Sequence, residues 1–275
     1  MTRKKYFEET SGKERFRRSM NTLSSMVERN VRNQYRNSVL GILWTVLNPL
    51  LNMAVVALVF SLIFNRDRMD GLYYPVYILS GNIVFGLMRN ATTGALPCIV
   101  NNYDLLSKTR LTHEIFPIAS VLSAVVNFLF SMVALFVVML CFLRKPGVGF
   151  HPTLLLTVLP FLPLLALFSL GVSFGLSTIY IRFRDVQHIY SVLLTLWTYV
   201  TPLFYSFEMI KEHQTALTVL KINPMYHFVA YFREILLGRV PSAATHGILL
   251  AWGVGGCLIG FFFFHISKKR FLLLV

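Results

Sequence analysis

Six long apolar runs, none with an acidic residue in its interior, limit what this 275-residue chain can fold into. A helix needs about 20 apolar residues to cross the roughly 30 Å hydrocarbon core of a bilayer, because its backbone rises about 1.5 Å per residue. The sequence therefore predicts an all-α, polytopic integral membrane protein with six transmembrane helices in a single domain, residues 1–275. The predicted spans are 39–64, 73–99, 115–143, 153–180, 189–207 and 243–267.

The composition excludes two other classes of protein. Hydrophobic residues make up 55% of the chain and charged residues 14%, which is far more apolar surface than one soluble core can bury. A water-soluble enzyme and an intrinsically disordered chain are both excluded on this ground. The three cysteines, Cys98, Cys141 and Cys257, lie in apolar stretches at unrelated spacings. We interpret them as core residues rather than as disulfide partners or metal ligands.

The distribution of basic residues predicts the orientation of the chain. The formal net charge is +14, and Lys and Arg are retained on the cytoplasmic side when spans insert. With six spans, 17 of the 26 basic residues fall on the side of the N-terminus. Both termini are therefore predicted to be cytoplasmic, and topology explains the charge better than nucleic-acid binding does. We expect the first apolar run to stay in the membrane, since it is too long for a signal peptide and lacks a small-residue cleavage site.

Residues 14–36 are predicted to form a helix along the membrane surface. A helix with an apolar stripe and a basic face fits the lipid headgroup interface. A soluble helix packed on a partner is the alternative. The apolar stripe recurs at steps of three and four and consists of Phe16, Met20, Leu23, Val27 and Val31.

The connection between the fifth and sixth spans, residues 208–242, is predicted to form re-entrant or interfacial helices on the outer side. Its apolar stretch is too short to cross a membrane, and Arg233 and Glu234 interrupt it. Asn223-Pro224 is typical of a helix start, and Gly238 is typical of a stop. A simple surface loop is the alternative.

Several motifs of catalytic and energy-coupled proteins are missing from the sequence. It contains no P-loop, G-x-x-x-x-G-K-[ST], and no H-E-x-x-H or Cys/His cluster. The six runs also lack the carboxylates that proton- or sodium-coupled carriers usually need at membrane depth. We therefore expect no cofactor, metal or catalytic residue in this chain, and we expect a partner to supply the energy.

Three of the predicted spans carry polar residues in helical register. Polar groups in hydrocarbon are costly, so these faces are expected to point at other helices or at a polar passage. Hydrogen bonding between helices is the alternative for any single stripe. The stripes are Gly41, Thr45, Asn48 and Asn52 in the first span, Asn82, Gly86, Arg89 and Thr93 in the second, and Ser191, Thr195, Thr198 and Tyr205 in the fifth.

Aromatic and glycine patterns are less specific. Tyr190, Trp197 and Phe204 share one face of the fifth span, where aromatic rings either stack on sugars or serve as ordinary membrane residues. Glycines four residues apart favour close helix packing in the fourth and sixth spans. These pairs are Gly171 with Gly175 and Gly256 with Gly260.

Two short, charged connections, 101–114 and 181–188, are predicted on the cytoplasmic side. Asn101-Asn102 before an apolar turn indicates a short helix along the membrane face. A transport subunit without a nucleotide site needs such surfaces to receive force from a partner. A plain solvated loop is the alternative.

The start of the first span carries the most specific motif of the chain. It reads Y-x-x-S-x-L-G-x-x-W from Tyr35 to Trp44 and is followed by Asn48-Pro49, with Asn223-Pro224-Met225 late in the chain. In these motifs and over nearly its whole length the sequence resembles the membrane subunits of bacterial polysaccharide ABC exporters, the ABC-2 type permeases. The resemblance implies a homodimer of six-span subunits in the bacterial cytoplasmic (inner) membrane. It also implies two separate ATPase subunits that hold ATP and Mg, and a lipid-linked glycan substrate such as O-antigen, capsule or teichoic acid.

The resemblance further implies roles for particular residues. Docking on the ATPase subunits is assigned to 101–114 and 181–188, with Asn102, Tyr103, Asp104, Leu105, Lys108, Arg182, Phe183, Arg184 and Asp185 as candidates. A substrate path at the dimer interface, lined mainly by the first and fifth spans, has the candidates Trp44, Thr45, Asn48, Asn52, Asn82, Arg89, Thr195, Trp197, Thr198, Phe204 and Tyr205. The outer gate is assigned to Asn223, Pro224 and Tyr226.

The leading hypothesis is a permease subunit that exports a lipid-linked polysaccharide or polyol-phosphate polymer and has no catalytic residue of its own. A small amphiphile or drug is the alternative cargo within the same family. Replacing Asn48 and Asn52 with leucine separates the two, since a glycan path needs those amides. A membrane-embedded glycolipid enzyme is the rival from another class, and the missing intramembrane carboxylates disfavour it.

Overall fold

The computed structural model describes residues 12–35, 38, 40–64, 68–108, 111–145, 148–149, 153–206, 209 and 214–268. These residues form ten α-helices, two short 3₁₀ turns and one two-stranded hairpin. The helices are α1 (Gly12–Tyr35), α2 (Trp44–Phe64), α3 (Tyr74–Ala95), α4 (Tyr103–Lys108), α5 (Ile115–Cys141), α6 (Thr153–Arg182), α7 (Val186–Val200), α8 (Gln214–Ile222), α9 (Pro224–Leu236) and α10 (Ala243–Ser267). The 3₁₀ turns are Gly41–Leu43 and Val100–Asn102, and the antiparallel hairpin pairs β1 (Arg68–Met69) with β2 (Leu72–Tyr73).

Within the described ranges, three helices are long and apolar enough to cross a membrane. They cover Ile115–Cys141, Leu159–Arg182 and Ala243–Ser267, and Tyr74–Ala95 with Val100–Leu106 makes a fourth candidate span bent by 56°. The fold is therefore that of a multi-pass helical membrane protein. The full count of six spans stays a prediction.

The fifth predicted run, 189–207, is not one continuous helix. It forms α7, which has 15 residues and ends at Val200, after which Thr201 adopts an extended backbone (φ −87°, ψ 132°). The cause is Pro202, because a proline disfavours helical geometry in the residue before it. The chain then turns through residues 201–205 instead of extending the helix.

The central element of the bundle is α3. It packs against α2, α5, α6 and α9, and its side chains are buried around most of its circumference. The aromatic core beside it joins α6 to α9, where the ring of Phe161 stacks on Tyr231 and Phe232 at centroid distances of 5.7 Å and 5.4 Å. Because four helices surround α3, its side chains are the ones best placed to line a site inside the bundle.

Backbone contact between α6 and α10 depends on glycine. A Cβ atom at Gly171 would fall on the carbonyl group of Gly256, and one at Gly260 would fall on the backbone of Gly171. By contrast, a Cβ at Gly175 would meet nothing within 4 Å. Close packing is therefore confirmed at Gly171, Gly256 and Gly260, while the expected role of Gly175 is wrong.

The predicted surface helix α1 packs partly on the protein itself. Met26 is buried in an apolar cluster with Phe116, Phe174 and Phe264, which lie on α5, α6 and α10. Met20, by contrast, is 47% exposed. Part of the predicted lipid-facing stripe is thus a contact with the bundle, because α1 lies against α5 along its length.

The segment predicted as re-entrant forms two helices joined by a single residue. Asn223 lies between α8 and α9 and caps α9, since its side chain accepts a hydrogen bond from the backbone N–H of Met225 at 3.0 Å. The helix ends at Leu236, and Gly238 follows in a left-handed conformation (φ +73°). The predicted helix start and stop are confirmed. The re-entrant path of the pair through the membrane stays a prediction.

Candidate functional site

A cavity of about 530 Å³ lies among α2, α3, α5 and α7, and we call it the bundle cavity. Polar side chains from three helices face it in helical register: Thr45, Asn48 and Asn52 from α2, Asn82, Arg89 and Asn90 from α3, and Thr195 and Thr198 from α7. The sequence shows only that each stripe shares one face of its own helix. The packing of the helices is what turns the three faces toward one space.

Nine of the eleven residues predicted for the substrate path line the bundle cavity. They are Trp44, Thr45, Asn48, Asn52, Asn82, Arg89, Thr195, Thr198 and Phe204. Their placement together is a finding of the structure. Their role in transport stays a prediction.

The other two predicted path residues, Trp197 and Tyr205, lie away from the cavity wall. Trp197 donates a hydrogen bond from Nε1 to Oδ1 of Asn223 at 2.8 Å and meets the rings of Phe85 and Phe168 edge-on. Tyr205 lies beyond the end of α7, where its hydroxyl donates to the carbonyl of Tyr199 at 2.8 Å. Neither side chain lines the bundle cavity, since Trp197 faces the protein core and Tyr205 is not on the helix. Their place in a substrate path stays a prediction.

A second cavity of about 620 Å³ lies between α1, the C-terminal end of α3 and α5, and we call it the α1 cavity. Two cross-helix hydrogen bonds join its walls, from Asn30 Nδ2 to Ser123 Oγ at 3.3 Å and from Asn127 Nδ2 to Gln34 Oε1 at 3.0 Å. Its polar lining residues are Arg29, Asn30, Asn33, Gln34, Asn90, Thr93, Asn101, Asn102, Ser120, Ser123 and Asn127.

Sequence reasoning missed the α1 cavity. The signal was present as Ser120, Ser123 and Asn127 at helical spacing in α5, and as Asn30, Asn33 and Gln34 in α1. Neither pattern looks unusual by itself, because short polar residues are common in helix interfaces. Only their opposition across the α1–α5 contact makes a cavity.

The two cavities form one polar track along α3. Gln34, Asn90 and Asn127 line both of them. One face of α3 runs through both cavities in the order Asn82, Gly86, Arg89, Asn90, Thr93 and Gly94. The track therefore extends from the middle of the bundle to the end of α3 at which α1 lies.

Among the described residues that line the track, the charged side chains are two arginines and no carboxylates. Arg29 donates a hydrogen bond from Nη2 to Asn102 Oδ1 at 2.7 Å. Nε of Arg89 is buried and has no hydrogen-bond partner among the described residues, and its guanidinium lies 5.3 Å from the ring centroid of Phe85. A cation–π contact of this kind contributes about 0.5–2 kcal/mol.

The candidate docking residues have different environments. In the first segment, the side chain of Asn102 is already hydrogen-bonded to other parts of the chain. Its Oδ1 accepts from Arg29, and its Nδ2 donates to the carbonyl of Cys98 at 2.7 Å. Asp104 is exposed, Tyr103 and Leu105 are half-buried, and the side chain of Lys108 lies outside the described residues. In the second segment, Arg182, Phe183, Arg184 and Asp185 are all exposed between α6 and α7. Phe183 is an aromatic side chain that is 60% exposed, and its role in docking stays a prediction.

The three gate candidates cluster at the junction of α8 and α9. Asn223 is buried, and besides capping α9 it donates from Nδ2 to Thr201 Oγ1 at 2.9 Å. Pro224 occupies the first turn of α9, where its missing N–H is harmless. Tyr226 is half-buried, with its ring 5.2 Å from that of His227. None of the three lines either cavity, so their link to a path remains the prediction made from the resemblance.

A buried arginine on α9 joins three segments of backbone near this junction. Arg233 donates to the carbonyls of Pro202 at 2.8 Å, Tyr77 at 3.1 Å and Leu203 at 3.3 Å. Its guanidinium also lies 3.4 Å from the ring centroid of Tyr77. The hydroxyl of Tyr77 donates to the carbonyl of Tyr205 at 2.6 Å and lies 3.3 Å from Asp70 Oδ2. Asp70 in turn accepts a hydrogen bond from Ser206. The sequence shows Arg233 only as a charged residue that interrupts an apolar stretch. No pattern in the sequence predicts that Arg233 bonds the carbonyls of residues 77, 202 and 203.

The described residues thus form a multi-pass helical membrane domain with a polar track in its interior. The sequence matches the family described as ABC-2 type transporter over residues 21–237. The chain belongs to this family, and the resemblance noted from its motifs is confirmed.

Several characterised relatives match most of the chain. It is 30% identical over 238 residues to the O-antigen export system permease protein RfbA of Myxococcus xanthus, covering 84% of this chain and 88% of the relative. It is 25% identical to the O-antigen export system permease protein RfbA of Klebsiella pneumoniae, covering 86% and 88%. It is 21% identical to the polysialic acid transport protein KpsM of Escherichia coli, covering 83% and 85%.

Proposed function

We propose that this chain is the permease subunit of an ATP-driven exporter that moves a lipid-linked polysaccharide or polyol-phosphate polymer across the bacterial cytoplasmic membrane. The observation that carries the proposal is the bundle cavity, where α2, α3 and α7 present polar side chains to one space. The names of the relatives, which describe O-antigen export and polysialic acid transport, support a glycan as the cargo.

The chemistry of the track suits a glycan. Asn and Gln side chains each offer donors and an acceptor, so they match sugar hydroxyls, which are donors and acceptors as well. Six such side chains line the bundle cavity: Gln34, Asn48, Asn52, Asn82, Asn90 and Asn127. A small apolar drug would make poor use of this lining, because each amide that it left unpaired would cost free energy.

Two copies of the chain form the transport unit in this proposal. Asn48, Asn52 and Thr195 line the bundle cavity and are also exposed on α2 and α7. Polar side chains facing lipid are unfavourable. A second copy placed against α2 and α7 covers them and closes the open side of the cavity, so the path runs between the two copies.

Energy enters through separate ATPase subunits. The sequence has no P-loop, so ATP and Mg belong to the partner in this proposal. The ATPase docks on segments 101–114 and 181–188, which places both chain termini in the cytoplasm. Residues 208–242 then lie on the outer side and act as the gate.

The first test of the proposal is co-purification from the native host in mild detergent, followed by mass spectrometry of bound proteins and lipids. We expect a stoichiometric ATPase with a P-loop and a polyprenyl-linked glycan. A small amphiphile bound in place of the glycan would change the cargo but keep the exporter. A lone chain with neither partner nor glycan would overturn the proposal, and turnover by the purified chain alone would make it a glycolipid enzyme.

The docking surfaces are tested by reversing charge at two exposed positions, Asp104→Arg together with Asp185→Arg. We expect the double variant to lose most ATPase association, because opposite charges across an interface steer and orient binding. The measurement is the amount of ATPase retained by the tagged permease and the ATPase rate that the permease stimulates. Arg239→Glu is the control, since Arg239 is exposed on the predicted outer side. Unchanged association and stimulation in the double variant would show that the docking surfaces are assigned wrongly.

A further inference from the structure

Two arginines of this bundle differ in how they are held. Arg233 is buried and its guanidinium donates three hydrogen bonds to carbonyl groups, so it is used for structure. The buried Nε atom lacks a hydrogen-bond partner among the described residues in both arginines. Arg89, however, lines the bundle cavity with its guanidinium 5.3 Å from the ring centroid of Phe85, and no described carboxylate lines that cavity. A charge kept inside a membrane helix without an internal partner points to a ligand that supplies the opposite charge.

The surroundings of Arg89 leave room for such a ligand. Gly86 lies one turn away on the same face of α3, and a Cβ built there would meet nothing within 4 Å. Oδ1 of Asn127, on the facing helix α5, is a buried acceptor without a partner among the described residues, although its Nδ2 is bonded to Gln34. The cavity therefore offers a cation for an anionic group and an unused acceptor for a hydroxyl.

We infer that Arg89 and Asn127 form a binding site for a sugar phosphate group, with Arg89 binding the phosphate and Asn127 accepting from a hydroxyl of the adjoining sugar. A guanidinium binds phosphate oxygens through two parallel N–H donors. The inference rests on the proposed function for the identity of the cargo. It adds that transport selects a phosphate on the cargo, carried either by the lipid anchor or by the polymer.

An annular lipid is a poorer explanation of this charge. Arg89 lies six residues before the end of α3 at Ala95, which is about 9 Å along the helix axis. It also lies on the most enclosed helix of the bundle, which is surrounded by α2, α5, α6 and α9. A phosphate reaches Arg89 by entering the cavity, as a transported group does.

The experiment measures equilibrium binding to the full-length chain in nanodiscs of uncharged phosphatidylcholine. The probes are a polyprenyl diphosphate and the polyprenol of the same length, which differ in the anionic group. We expect the wild type to bind the diphosphate at least 10-fold more tightly than the polyprenol. We expect Arg89→Gln to reduce that preference at least 10-fold, and Arg89→Lys to keep part of it because the charge remains. Arg239→Gln, which removes an exposed charge far from the cavity in sequence, is expected to keep the full preference.

A second pair of probes identifies the source of the phosphate. Competition by glucose 1-phosphate but not by glucose would show that the polymer's own phosphates are recognised, whereas competition by neither would assign the site to the lipid-borne diphosphate. Both results support the site when Arg89→Gln abolishes the preference. Equal binding of diphosphate and polyprenol by the wild type, or a full preference in Arg89→Gln, overturns it.

Two further readings keep the result decisive. If Arg89→Gln does not fold, Gly86→Val is used instead, because it fills the adjoining space without changing any charge. Loss of the preference for the diphosphate in Gly86→Val supports the site. Retention of the full preference in that variant overturns it. If the phosphate site is wrong but the proposed function is right, the chain still co-purifies with an ATPase and a glycan. If the proposed function is wrong, those partners are absent from the purified sample, whatever the binding assay shows.

Discussion

Arg233 shows how the meaning of a charged residue depends on its partners. In the sequence it interrupts an apolar stretch and marks a segment unable to cross the membrane alone. In the structure it is 7% exposed and connects α9 to α3 and to the turn that follows α7. The carbonyls that it satisfies come from residues far away in the chain, so no local pattern identifies them.

Replacing Arg233 with methionine is expected to lower the free energy of unfolding by about 2 kcal/mol or more. The methionine leaves the carbonyls of Pro202 and Leu203 without their charged donor, and each unsatisfied buried group costs about 1–3 kcal/mol. The measurement is the thermal unfolding midpoint of the purified chain in detergent. Arg239→Met is the control, because Arg239 is exposed. Equal midpoints for both variants would contradict the structural role of Arg233.

The surroundings of His113 lead us to expect that the folding stability of the chain depends on pH. It lies beside Glu114, which accepts a salt bridge from Lys268 at 3.1 Å. Burial lowers the pKa of His113, and the charge of Lys268 lowers it further, while Glu114 raises it. Because the folded-state pKa lies below the unfolded value of about 6.5, the unfolded chain binds the proton more readily. Stability is therefore expected to fall as pH drops through and below about 6.5.

The measurement for His113 is the thermal unfolding midpoint between about pH 7.5 and about pH 5.5. We expect the midpoint of the wild type to fall more over this range than that of His113→Gln, which has no group that titrates there. The same slope in both proteins would assign the pH dependence to other histidines.

At the scale of elements, glycine spacing gives candidates for helix contact but does not say which glycines touch. Gly171 and Gly175 are equally spaced for packing in the sequence. Only Gly171 faces the backbone of α10, where it meets Gly256 and Gly260. The difference arises because four residues advance slightly more than one helical turn, and the crossing of the two axes brings one position closer than the next.

Gly171→Val is therefore expected to disrupt the α6–α10 contact, whereas Gly175→Val is expected to leave it intact. The valine at position 171 has no space, because its Cβ alone would overlap the backbone of Gly256. We expect a large loss of thermal stability or of monodisperse expression for Gly171→Val. Size-exclusion chromatography and the unfolding midpoint measure both. If Gly175→Val proved as harmful as Gly171→Val, the packing geometry described for α6 and α10 would be wrong.

At the scale of the whole molecule, the polar track separates the interior of the bundle from its lipid-facing surface. Asn48 faces the bundle cavity, while Ile259 on α10 is 73% exposed and lines neither cavity. The proposed transport path requires water to reach the first position and lipid to surround the second. Labelling with a water-soluble reagent distinguishes the two environments.

Cysteine labelling tests this arrangement in membrane vesicles, with Cys98, Cys141 and Cys257 replaced by serine or alanine. Asn48→Cys is expected to react with a charged methanethiosulfonate reagent at least 10-fold faster than Ile259→Cys, because the thiolate forms and reacts only where water is present. The rate is measured by competition with a fluorescent maleimide after denaturation. Similar rates at the two positions would show that the bundle cavity is not hydrated.

The sequence alone determined the class of protein and the faces of its helices. Each membrane helix satisfies its own backbone hydrogen bonds, so apolar length and a period of 3.6 residues are local properties that can be read one segment at a time. Those local patterns identified nine of the twenty residues that line the bundle cavity. They also identified the start of α9.

The tertiary structure decided how those faces are turned toward one another. It showed that eight of the twelve stripe residues line one cavity and that α1, α3 and α5 enclose another. It also showed that Trp197 faces the core and donates a hydrogen bond to Asn223. It also separated Arg233, which is held by backbone carbonyls, from Arg89, which lines the track. The rotation of each helix about its axis depends on contacts between residues far apart in the chain, such as Gly171 with Gly256, and those contacts exist only once the bundle has packed.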